Sequence, residues 1–142
     1  MTMFISQIAM AQAIKSPVSW SYSIKKTNAT EAVITIVANI DTGWHIYSQF
    51  VKDNGPLKTS FTFMPEKGYE LIGTTTESAP QTRHENVFKM DVGYFEKVAI
   101  FEQKIKLKGD LPLSIKCKMS YGPCNDKLCL MPEQEELEIK VK

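Results

Sequence analysis

Two cysteines five positions apart, Cys124 and Cys129, lie in Tyr121-Gly-Pro-Cys-Asn-Asp-Lys-Leu-Cys-Leu-Met-Pro132, between two strand-like runs. A bridge between them closes so short a loop that the chain-entropy model gives it only about 2 kcal/mol of stabilisation, near the low end for disulfides. A staple would span more chain. Gly122 and Pro123 before the pair and Pro132 after it interrupt regular backbone pairing, which leaves both sulfurs on a turn open to a partner. An exposed, short ring is the kind of disulfide that exchanges. A structural hairpin disulfide in an exported domain uses the same spacing. Residue types alone leave structure and redox near parity, and the turn residues and short loop tilt the balance toward redox. Zinc needs four ligands, and the chain adds only His45 and His84 to the cysteines, without a second close ligand pair. No metal is expected.

The elements that must carry these residues are strands. From Val18, the side chains of Val18, Trp20, Tyr22 and Ile24 alternate with Ser19, Ser21, Ser23 and Lys25, the period of a half-buried strand. Ala32, Ile34, Ile36, Ala38 and Ile40 repeat the pattern after a polar turn, and Asp41-Thr-Gly43 closes it. Asn28-Ala-Thr30 fits a glycosylation acceptor, a weak three-residue match. Trp44 to Tyr47 reads as a short aromatic strand that sets His45 opposite Trp44 and Ile46, as a partly exposed strand histidine. Strand character returns at Thr59 to Phe63, Tyr69 to Thr76, Val98 to Leu107, Leu113 to Tyr121 and Leu137 to Val141. Ser78 to Met90 shows no usable periodicity and, with Pro80, Arg83, His84 and Asn86, reads as a long functional loop. Cys117 is in phase with Ile115 and Met119 and should point into the core. Strand signals every eight to twelve residues without a long amphipathic helix predict an all-β antiparallel sandwich or barrel.

The chain has 142 residues, 43% of them hydrophobic, enough for one domain that folds without a disulfide. Seventeen basic against sixteen acidic side chains leave a net charge of +1 with no long block of either sign, so nothing points to a nucleic acid or a membrane surface. No run approaches a membrane span. Three cysteines allow one intramolecular pair and leave one thiol over. Residues 1–13, apolar and ending in Ala11-Gln-Ala13, look like the tail of a secretory signal without its basic region, with an N-terminal helix or arm as the alternative. A signal remnant would place the single domain, residues 14–142, in an oxidising compartment.

The segment Cys124-Asn-Asp-Lys-Leu-Cys-Leu-Met-Pro132, preceded by a strand ending in Tyr121, resembles the active-site segment of the N-terminal periplasmic (alpha) domain of the thiol:disulfide interchange protein DsbD. Gly43-Trp-His-Ile-Tyr-Ser48 and the His84-to-Phe95 region also carry the resemblance, which runs from about Val18 to Val141. It implies an immunoglobulin-like sandwich in the periplasm acting as a protein-disulfide reductase. The chemistry would be thiolate attack through a mixed disulfide, requiring no cofactor. Electrons would pass from a membrane-embedded or thioredoxin-like donor to thioredoxin-fold acceptors, with the membrane and C-terminal domains of a DsbD-type protein as further partners. His45 and Tyr47 match positions where the family sets aromatics beside the cysteines. His84-Glu85-Asn86-Val87-Phe88 fits its cap loop, with Phe88 as the ring that shields the disulfide, although Asn86 and Val87 stand where the best-known member has acidic residues. Local chemistry gives no order to the two thiols, since Lys127 could favour either thiolate and Asp126 oppose either. The resemblance assigns Cys129 as the attacking sulfur and Cys124 as the resolving one. The rival reading is a non-enzymatic exported binding sandwich with an inert disulfide.

Overall fold

The computed structural model describes residues 16–142; the expected signal remnant at residues 1–13 lies outside them. Ten strands follow in chain order: β1 (Val18–Lys26), β2 (Glu31–Ile40), β3 (Ile46–Tyr47), β4 (Ser60–Phe63), β5 (Tyr69–Glu77), β6 (Gln81–Glu85), β7 (Met90–Phe95), β8 (Val98–Leu107), β9 (Leu113–Tyr121) and β10 (Glu133–Val141). All strand pairs are antiparallel. They form a four-stranded sheet in the order β1-β2-β8-β5, a three-stranded sheet β10-β9-β4, and a second three-stranded sheet β3-β7-β6.

The first two sheets make the sandwich that period-two patterning predicts. Strand β8 buries every second residue, and β2 does the same with Ala32, Ile34, Ile36, Ala38 and Ile40. Ile34, Ile36, Phe101 and Ile105 from one sheet join Ile115, Cys117, Met119, Tyr121 and Ile139 from the other in one apolar core. Cys117 is fully buried there, as its phase demanded. Phe101 meets the rings of Trp20, Phe61 and Phe95, so aromatic contacts tie β1, β4, β7 and β8 together.

Gln103 is a polar side chain buried within this frame. Strand β5 slips register against β8 between Ile72 and Thr76, with Gly73 at φ +69° in the irregular stretch. Gln103 of β8 fills the gap: its amide donates to the carbonyls of Ile72, Gly73 and Lys104, and its oxygen accepts from the Thr75 hydroxyl. Every polar atom of that side chain thereby finds a partner.

The third sheet corrects one expectation. Ser78 to Met90 is not a long loop: Gln81–Glu85 pairs with Met90–Phe95 as a hairpin closed by Asn86 to Lys89. Lys89 takes φ 53°, and the Phe88 N–H donates to the Glu85 carbonyl within the turn. The segment lacks the apolar alternation of a half-buried strand, because β6 is an edge strand with a polar pocket instead of the core behind it. The last strand also begins earlier than Leu137, at Glu133, since Glu133 and Glu135 point their carboxylates at the buried Tyr121 hydroxyl.

Candidate functional site

The third sheet rests on a small cluster of its own, in which Tyr47, Val51, Val92 and Cys124 are buried and Met90 and Tyr94 pack alongside. Strand β3 divides its residues between the two cores by alternation. Ile46 goes to the sandwich, while His45 and Tyr47 turn to this cluster. His45 does face opposite Ile46, but it is buried rather than partly exposed, at 3% accessibility. The cysteine segment covers it.

That cover is a backbone clasp. The Cys124 N–H donates to the His45 carbonyl at 3.0 Å, and the His45 N–H donates to the Cys124 carbonyl at 2.9 Å. Residues that exchange both hydrogen bonds in an antiparallel bridge carry their side chains on one face. His45 and the Cys124 sulfur therefore share a pocket. Beyond Cys124 the chain turns on Asn125, whose side-chain oxygen accepts the N–H groups of Lys127 and Leu128, and the loop closes where Leu130 N–H reaches the Pro123 carbonyl. Cys129 returns opposite Cys124 and the two form a disulfide, with Cα atoms 4.0 Å apart.

The two sulfurs differ in exposure. Cys124 is buried at 4% accessibility, whereas Cys129 is exposed on the outer arm of the loop. A turn that leaves both sulfurs open was expected, and only one is. The clasp to His45 pulls Cys124 into the small cluster.

Both cysteines line a cleft of about 550 Å³ together with His45, Tyr47, Arg83, Glu85 and Phe88. Strand β6 supplies Arg83 and Glu85 from one face by its period of two, and the hairpin turn supplies Phe88, which is 36% exposed at the rim. The same period sends His84 to the opposite face. There its Nδ1 meets the Asp91 carboxylate at 3.0 Å in solvent, so His84 does not join the others. Asn86 and Val87 stand at the turn, with Val87 in open solvent.

Arg83 was read only as part of a loop, and it organises the cleft wall. Its Nε donates to Glu85 Oε1 at 2.7 Å, its Cζ sits 4.6 Å from the centre of the Tyr94 ring, and its Nη2 lies 2.7 Å from His45 Nε2. A guanidinium only donates, so Nε2 carries the lone pair and His45 is a neutral imidazole protonated on Nδ1. The Tyr47 hydroxyl shares that lone pair at 3.1 Å. Burial first and the Arg83 charge second hold the His45 pKa below 6.5. Burial likewise raises the Tyr47 phenol. For Arg83, burial opposes the charge, but the bonds from Glu85 and Tyr47 outweigh it and raise its pKa further. Reading Gln81 to Glu85 as a strand would have put Arg83 and Glu85 on one face, which is the signal that the loop assignment discarded.

This arrangement can do thiol chemistry. It offers one accessible cysteine, a second fixed behind it, and a guanidinium in the wall of the cleft they line. A separate cleft of about 400 Å³ between β4 and β5 is lined without any thiol, histidine or carboxylate. Among the described residues, no three His, Cys, Asp or Glu side chains gather as a metal site, and no helix is long and apolar enough to cross a membrane.

Compared with models of protein families, residues 11–140 match the N-terminal domain of the thiol:disulfide interchange protein DsbD. Three solved structures share the fold. The N-terminal domain of DsbD from Neisseria meningitidis in the reduced form is 13% identical, with a TM-score of 0.56 over 84% of each chain. The N-terminal periplasmic domain of ScsB from Proteus mirabilis is 11% identical, with a TM-score of 0.61 over 88% of this chain and 47% of that one. This chain thus spans about half the length of the ScsB domain. A complex between the DsbD N-terminal and PilB N-terminal domains of Neisseria meningitidis is 12% identical, with a TM-score of 0.55 over 84% of this chain and 80% of that one. Against individual curated proteins the sequence has no significant match. The likenesses show the immunoglobulin-like sandwich expected from the cysteine segment.

Proposed function

The chain belongs to the family of DsbD N-terminal domains, and from that premise we propose that it is a periplasmic protein-disulfide reductase domain working through Cys124 and Cys129. The observation that carries the reading is the asymmetry of the bridge: Cys129 is open to a partner while Cys124 is clasped behind it. An inert staple has no need of one accessible sulfur at the mouth of a cleft. The reduced domain passes two electrons onward by a mixed disulfide and needs no cofactor. Cys129 attacks the partner's disulfide, and Cys124 resolves the intermediate. Phe88 is the cap ring, and His45, Tyr47 and Glu85 are its surroundings; His84, on the outer face of β6, is assigned no part.

The donor is a membrane-embedded or thioredoxin-like protein, including the membrane and C-terminal domains of a DsbD-type protein where these are present. The acceptor is a thioredoxin-fold protein, in keeping with the complex that the Neisseria DsbD domain forms with the PilB domain. Periplasmic placement follows the family and the ScsB domain, and the signal remnant at residues 1–13 is part of the same proposal.

Trapping tests the assignment. Cys124→Ser protein should form a covalent complex through Cys129 with a thioredoxin-fold partner that lacks its own resolving cysteine, and Cys129→Ser protein should form little. Better capture by the Cys129→Ser variant would reverse the roles. Capture by neither would leave the inert binding sandwich as the reading.

A further inference from the structure

The exchange needs a thiolate at each step, and strand β6 sets a guanidinium in the wall of the cleft that both cysteines line. Resting on the relay reading, the chemistry runs as follows. Cys129 gives its proton to water and its thiolate attacks one sulfur of the partner's disulfide, forming a Cys129–partner bond. The partner's other sulfur leaves as a thiolate and takes a proton from water. Cys124 then gives up its proton and attacks Cys129 Sγ, closing the 124–129 bridge and expelling the partner's second thiolate. Two electrons and, through solvent, two protons pass from this dithiol to the partner.

Cys129, exposed, has its thiolate solvated by water. Cys124, buried at 4%, does not. A buried thiolate is costly unless a cation or donor meets it; burial, against the lowering effect of a bond from the Thr62 backbone, pushes the Cys117 thiol up to about 12. We infer that Arg83 is an electrostatic positioning residue for the resolving step, its guanidinium stabilising the Cys124 thiolate that closes the mixed disulfide.

Three observations support this. Cys124 and His45 are directly opposed in the antiparallel clasp, and Arg83 Nη2 touches His45 Nε2, so the charge stands one imidazole away from the sulfur's face of the sheet. The Arg83–Glu85 pair is oriented: Glu85 holds the Nε edge, which leaves the Nη2 edge, the positive end of the pair, aimed at His45. The other charges around the cleft are poorly placed to replace it. Lys127 and Asp126 sit side by side on the exposed loop tip, where water screens both and each offsets the other. Glu85, Glu96 and Asp126, whose charges act on His45, oppose a thiolate. His45 cannot serve as base for Cys124, because its Nε2 lone pair is already taken by Arg83 and Tyr47.

The test follows the Cys124 Cβ resonance in an NMR pH titration of Cys129→Ser protein, where Cys117 is silent below about pH 10 because of its burial. Arg83→Gln should raise the Cys124 midpoint by about one pH unit, and Arg83→Lys should recover at least half of that shift. A tenfold loss of thiolate is offset about threefold by the greater nucleophilicity of a more basic sulfur, so resolution near neutral pH slows about threefold. If Arg83→Gln loses its dispersed spectrum, Arg83→Met, which keeps an aliphatic stack on Tyr94, takes its place with the same expected rise. An unchanged midpoint in the neutral variant overturns the inference. So does an equal shift in Arg83→Lys, which would mark a purely structural role. No partner enters this titration, so trapping failure with the shift intact sinks the relay reading alone, and trapping success without the shift sinks this inference alone.

Discussion

Cys117 and Cys124 lie on and just past the same strand, β9, in two regions that treat a thiol in opposite ways. Cys117 is sealed among Ile115, Met119 and Phe63 in the sandwich, where burial pushes its thiol up to about 12. Cys124 is almost as buried, but it is clasped to a histidine, lines a cleft with Tyr47 and Arg83, and is joined to Cys129 on the exposed loop. Burial in an apolar core makes a thiol inert; burial against a polar wall with one side open makes it available on demand. The large core supplies stability, and the small cluster supplies chemistry.

The division can be broken most directly at Phe101. Its ring is fully buried and meets three others, so Phe101→Ala should cost about 3–5 kcal/mol in denaturant unfolding while leaving the rate of bridge reduction, measured below the transition, unchanged. A parallel change in reduction rate would mean that the two regions are one unit. Phe88→Ala probes the other side: a rim ring that is 36% exposed should cost less than about 1.5 kcal/mol, and a small reductant should reach the bridge faster. Loss of several kcal/mol with unchanged reduction kinetics would return Phe88 to a core role.

The smallest effect expected comes from His45. Its folded pKa lies below 6.5, the value it regains on unfolding, through burial first and Arg83 second. Between those two values the unfolded chain binds more protons, so stability rises with pH there. The stabilisation is fully present above about pH 6.5 and is lost as pH falls toward the folded pKa, with a slope no steeper than one proton's, about 1.4 kcal/mol per pH unit. His45→Gln should flatten that limb of the profile. A profile equally steep in the variant would assign the acid sensitivity to other groups.

The sandwich was legible because apolar residues two apart leave an unambiguous mark: β1, β2 and β9 each read correctly from their alternation. The third sheet was not. Gln81 to Glu85 alternates polar with polar, since β6 faces a charged cleft on one side and water on the other, and hydropathy carries no record of such a strand. Missing the strand meant missing Arg83 and placing His84 with Phe88, although the two stand apart in the structure. The cysteines, Tyr47 and His45 were found because their types are chemically conspicuous. The burial of His45 was not foreseen, for it depends on a clasp with Cys124 that links segments far apart in the chain.

That clasp also bears on how long a mixed disulfide lasts. Its two hydrogen bonds hold the backbone of Cys124 itself to His45, just before β3, while Cys129 lies on the arm of the loop without such a tie to another strand among the described residues. In a relay of the proposed kind, a partner bonded to Cys129 displaces the arm, but the resolving sulfur keeps its station. Closure is then an intramolecular step at high effective concentration, with little conformational freedom left to lose. A domain so built would hold its partner briefly and release it reduced, and only removal of the Cys124 sulfur would turn a passing encounter into a lasting complex.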